Sequence, residues 1–171
     1  VVSGLVFAAG RGRYSLGPEK DLVVGTLVVL RNGWGRVVDD GGEESYFLSE
    51  HDMGVALPGD RVLVRKTIDV RSRDGERKGQ VVRVLLRANH LVVGTIRRSG
   101  RCIHVMPVDR SYRKCFDIPD TGGGREGDRV VVKFISWDDR HASPAGEIVE
   151  VIGPEDEASL DTITAIRNFG I

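Results

Sequence analysis

The sequence predicts an all-β protein built from two successive five-stranded barrels. Three observations carry that expectation. From Leu22 onward, short runs of alternating apolar and polar residues are separated by Gly, Asn, Asp and Pro turns. No long amphipathic helix is indicated before Ser159. Finally, Pro58-Gly59-Asp60-Arg61-Val62-Leu63-Val64 is echoed by Glu126-Gly127-Asp128-Arg129-Val130-Val131-Val132 at the same place in the second half.

Residues 1–21 read as a remnant or linker. Leu5-Val6-Phe7 is a strand and Gly10-Arg11-Gly12-Arg13-Tyr14-Ser15-Leu16 its hairpin return, marginal in water without a neighbour. Gly17-Pro18 breaks it. The first barrel spans 22–87. Leu22 to Leu30 is apolar and β-branched, and Asn32-Gly33 turns it into Trp34 to Val38. Asp39-Asp40-Gly41-Gly42 leads into Tyr46 to Leu48. A short helix is expected over Ser49 to Leu57, with Ser49 as N-cap and Asp52 three residues on. Pro58-Gly59-Asp60 ends it and launches Arg61 to Val70; Asp74-Gly75 turns into Gln80 to Leu86. Five short antiparallel strands with a brief helix before the fourth fit a Greek-key barrel of the OB type.

The second barrel spans 88–153 and repeats the order. Its strands are Leu91 to Arg97, Arg101 to Met106, Phe116 to Ile118, the run from Arg129 towards Trp137, and Gly146 to Ile152. Gly122-Gly123-Gly124 reads as a loop. Over 154–171, the spacing of Leu160, Ile163 and Ile166 predicts a helix from Ser159 to Phe169, leading into a further domain.

The totals bound the class. A chain of 171 residues with 40% hydrophobic and 29% charged residues is of ordinary soluble composition. It has neither the run of roughly 20 apolar residues that crosses a membrane nor a signal sequence, so a cytoplasmic protein is expected. Cys102 and Cys115 lack metal spacing and read as reduced thiols, with a disulfide as the alternative. A net charge of +0 conceals an asymmetry: Asp39 to Asp60 holds seven carboxylates and no Lys or Arg. Arg61 to Lys114 holds fifteen Lys or Arg against four carboxylates. A basic middle of that size favours a polyanionic partner.

Catalytic signatures are missing. Asp39-Asp40 and Asp138-Asp139 are acid pairs in turns, without the support two-metal chemistry needs. There is no nucleophile elbow, phosphate-binding glycine loop or zinc spacing. The sequence therefore predicts no catalytic residue, no metal ligand and no cofactor within this chain.

A binding face is the better candidate. Strand alternation puts Trp34 and Arg36 on one face and Val37 on the other. An exposed Trp beside an Arg suits stacking on an unpaired base with the guanidinium near its phosphate, and Phe47 on the next strand completes the platform. The alternative is a core Trp flanked by two turn glycines. In the second barrel Cys102, His104 and Met106 share one face and Ile103 and Val105 the other, with no aromatic residue among them. Arg97, Arg98, Arg101, Arg110 and Arg113 offer a basic track for a nucleic-acid backbone. His104 reads as a surface or core histidine, Tyr112 as packing, and Trp137 as a core or interdomain residue.

Several stretches together resemble the ribonuclease II and ribonuclease R family of exoribonucleases. Lys20 to Thr26, Gly33-Trp34-Gly35-Arg36-Val37 and His51 to Arg65 resemble its first cold-shock domain. Gly75 to Leu85 looks like the link to its second, and Val92-Val93-Gly94-Thr95, Pro107-Val108-Asp109-Arg110 and Pro144 to Gly153 follow in that family's order. Thr164 to Ile171 resembles the lead into its catalytic domain, and Arg11 to Leu16 the end of the winged-helix region typical of ribonuclease R. The resemblance implies tandem cold-shock OB domains that grip single-stranded RNA and guide it to a 3′-to-5′ exoribonuclease domain, absent here, which uses magnesium. It also implies ribosomal or RNA-decay partners. Trp34 and Phe47 match two aromatic positions of the cold-shock face, whereas Arg36 replaces a third and Ser49 stands where His is common. Two rival readings are hydrolysis of RNA by this chain unaided, and a protein- or ribosome-docking module with its contact at Asp39 to Glu44.

Overall fold

The computed structural model describes residues 7–9, 13–15, 21–67, 76–88 and 90–155. β1 (Phe7–Ala9) and β2 (Arg13–Ser15) form the expected hairpin, with Ala8 opposite Tyr14. The remaining expectations for the N-terminal stretch, the Asp74-Gly75 turn and the helix at 159–169 lie outside the described residues.

The first barrel consists of β3 (Leu22–Val29), β4 (Gly35–Asp39), β5 (Ser45–Leu48), α1 (Glu50–Met53), β6 (Arg61–Thr67) and β7 (Lys78–Leu86). It closes in the order β3-β4-β5-β7-β6. The second contains β8 (Leu91–Ser99), β9 (Cys102–Pro107), β10 (Phe116–Ile118), β11 (Asp128–Ser136) and β12 (Ala145–Pro154). Its cyclic order, β8-β9-β10-β12-β11, is the same. In each barrel the parallel seam between third and fifth strands rests on one residue pair, Phe47 with Lys78 and Asp117 with Ala145. Register shifts along β6/β7 and β11/β12 bend those long hairpins around the barrels.

The cores match position by position. Leu27 faces Val37 and Val37 faces Tyr46; in the second barrel Ile96 faces Val105 and Val105 faces Phe116. All six are buried, as are Val62 and Val64 beside Val130 and Val132. Burying each such aliphatic side chain contributes about 1.5–3 kcal/mol. The repeated Gly-Asp entry also folds alike. Gly59 and Gly127 take positive φ, 86° and 91°, and donate their N–H groups to Leu27 and Ile96. The following aspartates accept the N–H three residues back, from Leu57 and Arg125.

α1 is shorter than the expected Ser49–Leu57 helix. Ser49 does cap it, accepting from the Asp52 N–H at 3.3 Å. It ends after one turn because Gly54 adopts φ 60° and Asp60 captures the Leu57 N–H that a longer helix would need. Met53 from this turn plugs the first barrel, its sulfur lying 2.6 Å from where a Cβ on Gly35 would sit.

Asp60, fully buried, joins the two barrels. Its Oδ1 accepts from the Ala88 N–H (3.0 Å) and from His90 Nε2 (2.7 Å), and its Oδ2 from Leu57 and Arg87 Nη1 (2.6 Å). Burial alone would raise this carboxyl's pKa, but the hydrogen bonds from His90, Leu57 and Ala88 and the Arg87 charge outweigh it and hold it low. Burial and the nearby charges of Asp109 and Asp60 push Tyr112 up to about 12, and its hydroxyl lies 2.9 Å from His90 Nδ1. Arg87 also donates to Val55 O and Trp137 O and lies 4.9 Å over the Phe134 ring. The junction is thus a polar network with every oxygen of its carboxylate engaged.

Candidate nucleic-acid interface

β4 brings its side chains out alternately. Gly35 and Val37 turn into the barrel, while Trp34, 40% exposed, and Arg36 turn outward. Across the sheet Arg36 lies directly opposite Phe47 on β5 and Val28 on β3. Phe47 is half-buried and Val28 is 48% exposed. The core reading of Trp34 is therefore replaced by the surface one. No ion pair or hydrogen bond among the described residues engages the Arg36 guanidinium. Trp34 owes its position to the turn before it, where its N–H bonds Asn32 Oδ1 and Gly33 takes φ 85°.

The other arginines divide into two sets. Arg98, Arg101 and Arg110 are exposed, and their side chains have no recorded partner among the described residues. Arg97 and Arg113 are engaged. Arg97 Nη2 pairs with Glu155 at 2.9 Å, and Glu155 also takes Arg129 at 3.1 Å. Arg113 reaches back to the first barrel, pairing with Glu50 at 3.0 Å and donating to Gly33 O at 2.6 Å.

Two residues beyond the candidates belong to the same surface. Val28 adds apolar area beside Arg36, and Arg31 lines a groove of about 410 Å³ that runs from Asn32 and Gly33 to Met106 and Arg110. Val28 was hidden by its place in an apolar run. Alternation from Leu27, read as the core position, would have turned it outward. Beside this groove a second cleft between the barrels, of about 430 Å³, is lined by Met53, Leu57, Trp137 and His141. Trp137 therefore faces the cleft between the barrels rather than a core, and its Nε1 donates to Asp139 O and Ala142 O of its own barrel.

In the second barrel the equivalent row reads Arg97, His104, Asp117. A carboxylate thus occupies the position that Phe47 holds in the first. Cys102 and Cys115 are free thiols; burial, assisted by Asp117, raises the Cys115 pKa and keeps it protonated at neutral pH. Among the described residues no group of three or more His, Cys, Asp or Glu fits a metal ion, and no helix is long and apolar enough to cross a membrane.

Two closed OB barrels in tandem, one with an exposed aromatic and arginine row, define a tandem OB-fold class of polypeptide. The Ribonuclease B OB domain profile matches residues 25–84 and the Cold shock domain profile residues 104–171. The chain is similar over nearly its whole length to ribonuclease R. It is 33% identical to ribonuclease R of Escherichia coli strain K12 over 171 residues, 98% of this chain and 20% of that protein. Against ribonuclease R of Acidithiobacillus ferrooxidans it is 28% identical, over 94% of this chain and 37% of that protein. The chain thus spans well under half the length of these relatives. Mycoplasma genitalium RNase R, solved with ribose-methylated single-stranded RNA, shares the fold with a TM-score of 0.76 at 15% identity, over 87% of this chain and 24% of that one. So does the yeast pseudonuclease Ssd1, with a TM-score of 0.72 at 18% identity, over 88% of this chain and 25% of that one.

Proposed function

We propose that this region binds single-stranded RNA and guides it to a separate 3′-to-5′ exoribonuclease domain of the whole protein. A base stacks on Trp34 and Phe47, Arg36 meets its phosphate, and Arg31, Arg98, Arg101 and Arg110 carry the backbone onward. Arg97 joins that track when Glu155 releases it. The observation that carries the reading is the open row of Trp34, Arg36 and Phe47, whose guanidinium is unengaged among the described residues. The ribonuclease R likeness and the RNA-bound structural neighbour support it. On this reading magnesium-dependent hydrolysis belongs to a separate domain of the whole protein, as the ribonuclease R likeness suggests. Ribosomal or RNA-decay partners and a cytoplasmic location are part of the same reading, the latter consistent with two free thiols.

Titrating a fluorescent single-stranded RNA at two salt concentrations tests it. A stacked base contributes about 1–3 kcal/mol, so the Trp34→Ala, Phe47→Ala double variant should bind about 5- to 150-fold more weakly, while His104→Ala binds like the parent. The parent's affinity should fall with salt at a log–log slope of about −0.7 per phosphate neutralised. Salt-sensitive binding that ignores the double substitution would move the site to the second barrel's arginines. No binding at either salt would overturn the reading.

A further inference from the structure

Arg113 sits in the second barrel's β9–β10 connection, yet both of its recorded partners are in the first barrel. Nη1 donates to the Gly33 carbonyl at 2.6 Å, and Nη2 pairs with Glu50 at the start of α1 at 3.0 Å. The guanidinium presents parallel donors in a fixed fork, so two acceptors held together fix its plane as well as its place. Gly33 is the residue immediately before Trp34, in the turn that delivers the tryptophan to the outer face. Its positive φ of 85° favours glycine, and a Cβ there would lie 1.8 Å from Arg113 Nη1. The turn is therefore shaped to admit this side chain from the other barrel. The rest of the turn closes on itself, with the Gly33 N–H donating to Leu30 O and the Leu30 N–H to Trp34 O.

The geometry points to Arg113 as a positioning residue: the second barrel holds the first barrel's Trp34 turn in its stacking geometry through the Arg113–Gly33 and Arg113–Glu50 contacts. Sequence pattern alone places Arg113 on the phosphate track, and the two roles predict different measurements. A phosphate contact contributes to the salt dependence of RNA binding. A positioning residue changes Trp34 before any RNA is added. The affinity consequence rests on the proposed RNA-binding function, whereas the behaviour of Trp34 in the free protein does not.

The full chain labelled with 5-fluorotryptophan has two tryptophans, so a Trp34→Phe control assigns both fluorine resonances. Arg113→Ala should narrow and move the Trp34 resonance in the free protein. Arg113→Lys should fail to restore it, because an ammonium cannot reproduce the fork. Glu50→Gln, an exposed change that keeps Arg113, should move the resonance in the same direction by a smaller amount. RNA affinity of Arg113→Ala should fall about fivefold with the salt slope unchanged. A Trp34 resonance that stays put in all three variants overturns the proposal. So does a salt slope reduced by about 0.7, which would make Arg113 a phosphate contact. If the parent binds no RNA, the function proposed above fails, while the free-protein spectra still decide the role of Arg113.

Discussion

Gly59-Asp60-Arg61-Val62 and Gly127-Asp128-Arg129-Val130 adopt the same turn, with the same glycine donor and the same backward hydrogen bond to the aspartate. Only Asp60 is buried, because the second barrel's entry closes over it with Arg87, Ala88 and His90. The faces diverge in a similar way. Identical register sets Arg36 beside Phe47 in one barrel and His104 beside Asp117 in the other. Where the first barrel is plugged by α1 and Met53, the second brings Gly124 against Ile96. A duplicated backbone has thus been kept while its outward positions diverged, an open row of aromatic and arginine in one barrel and a row of Arg97, His104 and Asp117 in the other. The register depends on buried alternation, which constrains only the inward half of each strand.

Substitutions at equivalent positions test that division. The largest difference should come from Asp60→Ala against Asp128→Ala. Removing Asp60 strands a buried histidine and an arginine, and should cost about 3 kcal/mol or more. Asp128 loses one turn hydrogen bond, at about 1 kcal/mol. Equal costs in urea denaturation would mean that Asp60 is only a turn residue.

Next come Gly79→Ala and Gly146→Ala, where the barrels should behave alike. A Cβ at either glycine would approach Val64 or Val132 Cγ1 to 2.4 Å. Each should destabilise by about 1–3 kcal/mol through overpacking. Costs differing by more than about 1 kcal/mol would break the equivalence of the two interiors.

The smallest effect is on acid sensitivity. Asp60 titrates lower in the folded protein than in the unfolded chain. Its contribution is therefore complete above the ordinary aspartate value of about 4 and is lost as pH falls through the lowered folded value. Denaturation midpoints measured between pH 7 and pH 3 should fall less steeply in Asp60→Asn than in the parent. A parallel fall in both would remove Asp60 from the acid response.

Most of the fold was legible in the sequence because barrel strands announce themselves by alternation and turn residues. The repeated Gly-Asp-Arg-Val entries marked the duplication. The helix was overextended because Ser49 and Asp52 signal where a helix starts, whereas its end depends on Asp60 taking the Leu57 N–H. At the candidate site, Trp34, Arg36 and Phe47 emerged together because strand period alone decides which way they face. Sequence pattern places Arg97 and Arg113 on the basic track, but partners of theirs lie 58 and 80 residues away, at Glu155 and Gly33. Neighbouring sequence carries no record of such pairings. For the same reason the role of His90 was not legible: its partners Asp60 and Tyr112 come from opposite sides of the junction.

The carboxylate of Asp60 also sets a rule about spacing. Arg87, Ala88 and His90 all grasp it within four consecutive positions. The chain between the barrels is therefore a fixed-length hinge pin rather than a tether. Adding one residue there would pull at least one of the three donors off the carboxylate, and separating the barrels at that point would leave the carboxylate without His90 in one piece and the imidazole without its carboxylate in the other.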